Sequence, residues 1–401
     1  MPKWQGDQLL CSDLKQYVAA NYHRKEILGL LQKSYPQYSV SIPTLDRMLR
    51  HFDIRYIDYQ TSEQQIRSAI QNELSGPGKL LGYRALNQKL RTEHGIKVPR
   101  DVVALIQRDI DPEGVANRRI GQKPKKEKIP FESLGPNWLW SLDGHDKMMG
   151  FQASTFPLAI YGCQDTFSRK IIFLKVWTSN SDPLLIASFF MEHISETGVI
   201  PKYLRLDKGT ETGLMASIHA YLRRFDDDVV DPSDCIQYGS STANKIESWW
   251  KHLHERMEKD IKKILLDLKN NGNYDPEKEE DRNLLAYLCV PVLQRECNLF
   301  VSVWNSHRIR KQKNIALPYG IPDHIFNCPE QYGCSDQGVS VTEEQLINAC
   351  EESCVDDAAT SYLSEEQINI FQPHFPNPEL LECNDIIDAY IGLKALIWRV
   401  I

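Results

Sequence analysis

A chain of 401 residues is long enough for two or three domains of roughly 100–200 residues each. Its 42% apolar and 25% charged residues exclude a disordered, collagen-like or fibrous protein. The net charge of −7 is segregated: residues 1–136 carry 22 Lys/Arg against 15 Asp/Glu, whereas residues 335–401 carry 13 Asp/Glu against Lys394 and Arg399.

A basic front with an acidic end is the asymmetry of a polyanion binder carrying an acidic appendage. No run of about 18 consecutive apolar residues is present, so neither a transmembrane helix nor a membrane partner is expected. The opening MPKWQGDQLLCSDLKQ has no apolar signal core, so export is not expected either. The ten cysteines show no repeated CxxC pair and read as free thiols. Cys328/Cys334 and Cys350/Cys354 lack the partner spacing of a zinc site.

Residues 1–60 are expected to form a helix-turn-helix-like domain. RKEILGLLQK places Ile27, Leu28, Leu30 and Leu31 on one helical stripe. Ser41 then caps a second helix with Pro43 in its first turn. Leu45, Met48, Leu49 and Phe52 follow the i, i+3, i+4, i+7 spacing of a buried face, while Thr44, Arg47, Arg50 and His51 point outward. Residues 61–121 repeat the pattern: GPGKLLGYRALNQKLRTEHGI supplies breakers around Tyr83, Leu86 and Leu90. Pro99 opens a helix with Val102, Val103, Ile106 and Ile110 inward, and Arg100, Gln107 and Arg108 outward. Arg47, Arg50, Arg100 and Arg108 are therefore the candidate nucleic-acid contacts of this half, against the plainer reading of a solvated basic face. Residues 122–134 continue as a basic linker with Lys123, Lys125, Lys126 and Lys128, suited to nuclear targeting or to tethering on phosphates.

From residue 135 the period changes. NWLWSLDG, PLAIYGCQD and RKIIFLKVW are strand-like apolar runs, followed by the helix-like PLLIASFFMEHISETG. YLRLDKGTE, LMASIHAYLRRF, CIQYG and TANKIESWWKHLHERMEKDIKKILLDL then alternate strand and helix. Residues 135–270 are thus an α/β domain with a mixed sheet. Residues 271–334 read as a helical C-terminal extension, and residues 335–401 as an acidic tail able to compete for a DNA-binding surface.

Three acids in this domain are hard to explain as surface decoration. Asp143 ends WLWSLD, Asp207 ends YLRLD ahead of Gly209, and Glu247 starts the long helix. Ligands gather at strand ends in α/β sheets. Converging carboxylates repel one another unless a cation compensates, and hard oxygen donors without a His/Cys pattern favour Mg²⁺ or Mn²⁺. Two such ions serve in-line phosphoryl displacement. On the same helix Ile246, Trp249, Trp250, Leu253 and Met257 form a core stripe. Asn244, Glu247, Lys251 and His254 form a polar stripe suited to phosphates, or simply a solvated face.

The ordered set WSLDGHDK, QDTFSRKIIFLKVW, LRLDKGTE and GSSTANKIESWW resembles the catalytic core of retroviral integrases and DDE transposases. The resemblance covers roughly residues 135–265 and extends loosely to the flanks of eukaryotic transposon-derived integrase-like proteins. It implies a ribonuclease-H-like fold with a five-stranded mixed sheet. It further implies Asp143, Asp207 and Glu247 as catalytic and metal-holding acids, two Mg²⁺ (or Mn²⁺) ions with substrate, and Asn244 and Lys245 as polar positions ahead of the Glu. Transposon-end and target DNA, a homo-oligomer on DNA and a nuclear location are the implied context. Departures are the missing His-His-Cys-Cys module and the missing small β-barrel. The implied activity is DNA end processing and strand transfer; a binding protein that has lost catalysis, and a purely hydrolytic nuclease, are the alternatives. Asp165 reads as a turn residue, while Asp146, Glu211 and His145 are subsidiary neighbours of the acids.

Overall fold

The computed structural model describes residues 4–117, 133–150, 154–226, 228–239, 245–311 and 316–397. It divides into two compact units, one built from the chain up to Glu132 with Ser302–Ser335, the other from Ser133–Val301 with the chain from Asp336 on. The expected basic linker, including Lys123, Lys125, Lys126 and Lys128, lies outside the described residues, as does Asn244.

The first unit opens with α1 (Gln8–Ala19), α2 (Arg24–Ser34) and α3 (Ile42–His51). Ser41 caps α3 as expected: its hydroxyl accepts from the Thr44 amide at 3.4 Å, and Pro43 sits in the first turn, where a missing N–H costs nothing. Leu45, Met48 and Leu49 close against Leu10, Leu14, Ile27 and Leu31. A second trio follows in α4 (Glu63–Ser75), α5 (Tyr83–Thr92) and α6 (Arg100–Ile110), trailed by the short α7 (Pro112–Asn117). Ile66, Ile70, Leu86, Leu90, Val103 and Ile106 form its separate core. Each helical pair read from the sequence thus has a third helix, which supplies the apolar face that two helices lack.

The second unit is built on β1 (Leu139–His145), β2 (Ala159–Asp165) and β3 (Ile171–Trp177), an antiparallel meander. Helix α8 (Pro183–Thr197) returns the chain to β4 (Val199–Ile200) and to β5 (Tyr203–Leu206), parallel to β1. Helix α9 (Gly213–Arg223) then leads to β6 (Ile236–Tyr238), parallel to β5. The five-stranded sheet has the order β3-β2-β1-β5-β6, the mixed arrangement that the ribonuclease-H-like expectation requires. Parallel neighbours need crossovers, and α8 and α9 provide them. Their apolar faces meet the sheet at Trp140, Leu142, Tyr161, Leu204 and Leu206, through Phe190, Ile194, Met215 and Ile218.

Helices α10 (Lys245–Leu253) and α11 (Lys259–Asn270) follow, and then the 28-residue α12 (Glu279–Ser306). By length and composition α12 is apolar enough to cross a membrane, which a count of consecutive apolar residues misses; 67% of its apolar window is buried inside the protein, as in a core helix. Gln294 of α12 satisfies the edge of β3: its Oε1 accepts from Val176 N at 2.8 Å and its Nε2 donates to Leu174 O at 2.9 Å. That covers an edge strand that would otherwise offer unpaired groups.

Two segments group differently from their linear reading. Ser302–Ser335, with α13 (Pro322–Asn327), belongs to the unit of the N-terminal helices, where Ile321 enters the first core and Arg308 pairs with Glu26 at 2.7 Å. The acidic segment is not a detached tail. Strand β7 (Val339–Ser340) pairs with β4, and α14 (Glu343–Ser353) buries Ala349 with Val355 in the sheet's core cluster. The helices α15 (Glu365–Phe371) and α16 (Ile386–Ile397) bury Phe371, Tyr390, Leu393 and Ile397, and Lys394 reaches the buried Asp281 at 2.7 Å. Charge count describes the solvated face of these helices; their apolar stripes decide where they sit.

Candidate active site

The register of β1 on β5 pairs Leu139 with Tyr203 and Ser141 with Arg205. Two residues further on, Asp143 comes level with Asp207, immediately past the end of β5. On its other side Asp143 pairs with Gly162 of β2. A Cβ at Gly162 would stand 2.7 Å from Trp250 and 3.3 Å from Ile246, so the absent side chain is what lets α10 lie directly on the sheet. Glu247, one residue after Ile246, is carried by the same helix to the same end of the sheet.

Asp143 feels the other two acids. Burial is the main cause that pushes the Asp143 carboxyl up, to about 7, and the charges of Asp207 and Glu247 add to it. Two hydrogen bonds oppose the rise: the indole N–H of Trp250 donates to Asp143 Oδ2 at 2.9 Å, and the Gly144 amide adds a smaller effect. Among the described residues the Asp207 carboxylate accepts only the Gly209 amide, at 3.3 Å. Among the described residues neither Asp143 nor Asp207 pairs with a Lys or Arg. The oxygens of Asp143, Asp207 and Glu247 do not all lie within 4.8 Å of one another. Oxygen donors with unbalanced negative charge fit a divalent cation, which would lower the Asp143 carboxyl again.

Neighbouring groups sort into distinct roles. Asp165 is fully buried and holds the β2–β3 turn, accepting from Asn137 N, Ser168 N and Ser168 Oγ at 2.9, 2.8 and 2.6 Å. It takes no part in the acid group. Asp146 is exposed and accepts from Asn180 at 2.6 Å. Glu211 folds over Gly209, where a Cβ would meet its carboxylate. With Asp143 and Asp207 it helps push the buried Tyr161 hydroxyl well above its usual range, though burial is the larger cause.

The polar stripe read along α10 separates in three dimensions. Lys251 is exposed, but His254 turns to Glu258, Nδ1 to Oε2 at 3.0 Å. Glu258 is fully buried at the end of a π-helical turn, His254–Glu258, and its Oε1 meets His145 Nε2 at 2.7 Å. Burial alone would raise the Glu258 carboxyl, but the close contact with His145 and the hydrogen bond with His254 outweigh it and hold it below the usual range. His145 in turn stacks on Trp250, with centroids 4.6 Å apart. Trp250, Gly162 and Glu258 were not candidates in the sequence, although a glycine inside an apolar strand is the signal for close approach of another element. Lys245 opens α10.

In the other unit Arg47 and Arg50 are exposed on α3 and, among the described residues, hydrogen-bond only their own helix, at Thr44, Pro43 and Asp46. Arg100 and Arg108 are exposed at the two ends of α6. Two acids and a histidine, Glu73, Glu93 and His94, are close enough to hold an ion, but Lys89 Nζ already stands 2.9 Å from Glu73 and 3.6 Å from Glu93.

The family described as integrase core domain matches residues 131–325, a range that includes Asp143, Asp207 and Glu247. No curated protein matches the chain.

Proposed function

Because residues 131–325 belong to the integrase core family, whose members are polynucleotidyl-transferase-like, we propose that this chain is a DDE-type DNA strand transferase acting on DNA ends and a target duplex. The observation that supports this reading is that Asp207 and Glu247 both act on the buried Asp143 carboxyl, which burial and their charges raise to about 7. In the proposed site these three residues hold one or two Mg²⁺ or Mn²⁺ ions. Such ions supply Lewis acidity and neutralise charge on the phosphoryl oxygens. The chain's own contribution is to aim the acids: Trp250 orients Asp143, Gly162 admits α10, and the β1/β5 register sets Asp207 beside Asp143.

Lys245, Asn244 and Lys251 are proposed to meet phosphates of the bound strand near Glu247. The helical unit is proposed to grip duplex DNA through Arg47, Arg50, Arg100 and Arg108, and the active form to be a homo-oligomer on DNA in the nucleus. The test is an assay of the full chain on labelled DNA ends with Mg²⁺ or Mn²⁺. Joined products that vanish in Asp143→Asn, Asp207→Asn and Glu247→Gln, and persist in Glu211→Gln, are expected. Cutting without joining would instead assign a hydrolytic nuclease. Binding without either reaction would assign a DNA-binding protein and overturn the catalytic reading.

A further inference from the structure

Within the helical unit, a cleft of about 510 Å³ opens where α1, the chain after α3 and the end of α5 converge. Its lining includes Lys15 from α1, Arg55 from the segment after α3, Arg91 from α5, and Lys97 from the loop that follows α5. Asp53 is the one acid in that lining, and it is taken up by Arg55 at 3.0 Å. None of the four cations belongs to the outward faces of α3 and α6.

Arg91 makes this more than a patch of surface charge. Its side chain is 5% exposed, and it donates to two neutral carbonyls, Val18 O at 3.3 Å and Tyr56 O at 2.8 Å. Among the described residues its buried Nε has no hydrogen-bond partner and no carboxylate pairs with it. A guanidinium taken out of water with no counter-charge is costly, and proteins ordinarily pair such a group. Lys97 is half-buried beside it, held below its usual range by burial and then by the Arg91 charge, with Lys15 adding to the effect and Asp58 opposing it. Neither Lys15 nor Lys97 forms an ion pair among the described residues. Gly95, at φ +64°, shapes the loop between α5 and Lys97, and the space where its Cβ would project is open.

We propose that this cleft is a phosphate-binding site for the backbone of a nucleic-acid strand, with the Arg91 guanidinium at its floor and Lys15 and Lys97 at its mouth. An anionic phosphodiester oxygen supplies the missing counter-charge and the acceptor that Arg91 lacks, and the exposed Lys15 and half-buried Lys97 follow the strand on either side. The inference rests on the chain's being a DNA binder but not on its catalysis, and it assigns residues distinct from Arg47, Arg50, Arg100 and Arg108.

The experiment measures duplex-DNA affinity of the full chain by fluorescence anisotropy between 50 and 200 mM salt. The Lys15→Ala/Lys97→Ala variant is compared with Lys25→Ala/Lys33→Ala, which removes equal charge from the same unit outside the cleft. Each lost phosphate contact lowers the log–log salt slope by about 0.9, so the cleft variant's slope falls by about 1.8 and its affinity deficit is roughly 12-fold larger at 50 mM than at 200 mM salt. The control variant is expected to retain nearly the full slope. Equal losses in both variants would overturn the proposal, because general charge would then explain the effect. A cleft variant with wild-type affinity and slope would overturn it too. A melting temperature raised by inorganic phosphate in the wild type but not in the cleft variant, with DNA binding unchanged, would assign a small-anion site instead. If the wild type binds no DNA at 50 mM salt, the DNA-binding reading itself has failed.

Discussion

The indole N–H of Trp250 donates to Asp143 Oδ2 at 2.9 Å, joining the core stripe of α10 to an acid within β1. This contact partly offsets the burial that disfavours the ionised form of Asp143. Trp250→Phe keeps most of the apolar bulk and deletes the donor. Loss of one hydrogen bond to a charged group is worth about 1.5–3 kcal/mol, so the pH at which metal-dependent activity rises should move upward by about 1–2 units. A pH–rate profile checks this; an unchanged profile with merely reduced amplitude would deny Trp250 a role in setting Asp143.

The raised Asp143 carboxyl also carries a stability signature. Between its ordinary value of 3.8 and its folded value of about 7, the folded state holds a proton that the unfolded state has released. Wild-type stability therefore declines through that window as pH rises, and the decline stops above about pH 7. In metal-free buffer, Asp143→Asn should match wild type near pH 4 and be more stable at pH 8, by at most about 4 kcal/mol. Added Mg²⁺ should narrow the gap by stabilising only the wild type. Denaturant melts at the two pH values decide it; a variant no more stable at pH 8 would refute the assigned shift.

Gly162 is where the sheet and α10 touch. A Cβ there falls 2.6 Å from Leu174 and 2.7 Å from Trp250, closer than packed atoms approach. Gly162→Ala should cost about 1–3 kcal/mol of stability and move Trp250 and Glu247 off the sheet. Activity should fall by more than the loss of folded protein accounts for, measured as turnover per folded molecule. Gly213→Ala, where the same atom meets open space, is the control.

The nuclear reading depends on Lys123, Lys125, Lys126 and Lys128. Replacing all four with Ala should leave a fluorescently tagged chain in the cytoplasm, with DNA binding by the purified protein reduced only modestly. Unchanged nuclear signal would reject the cluster as the targeting element.

Local sequence was sufficient wherever a period or a cap decides structure. Ser41 and Pro43 start α3, the runs at Leu139–His145 and Ile171–Trp177 are strands, and Ile246, Trp249, Trp250, Leu253 and Met257 are the buried stripe of α10 and the turn after it. Asp143 and Asp207 were legible because a carboxylate closing an apolar run is visible in one dimension, although only Asp207 lies at a strand end and β1 continues past Asp143 to His145. What tertiary structure alone decided is which side chains meet across long separations. Asp143 and Trp250 are 107 residues apart, and neither residue's neighbours announce the other. The same holds for His254, placed on a polar stripe by helical phase yet turned inward by a buried Glu258, and for Arg91, a helix residue like any other until two neutral carbonyls hold it in the floor of a cleft. The acidic segment makes the contrast plainest. Its net charge reads as a tail, but Ala349, Val355, Tyr390 and Leu393 bury apolar surface in the fold, and burial outweighs surface charges that stay solvated.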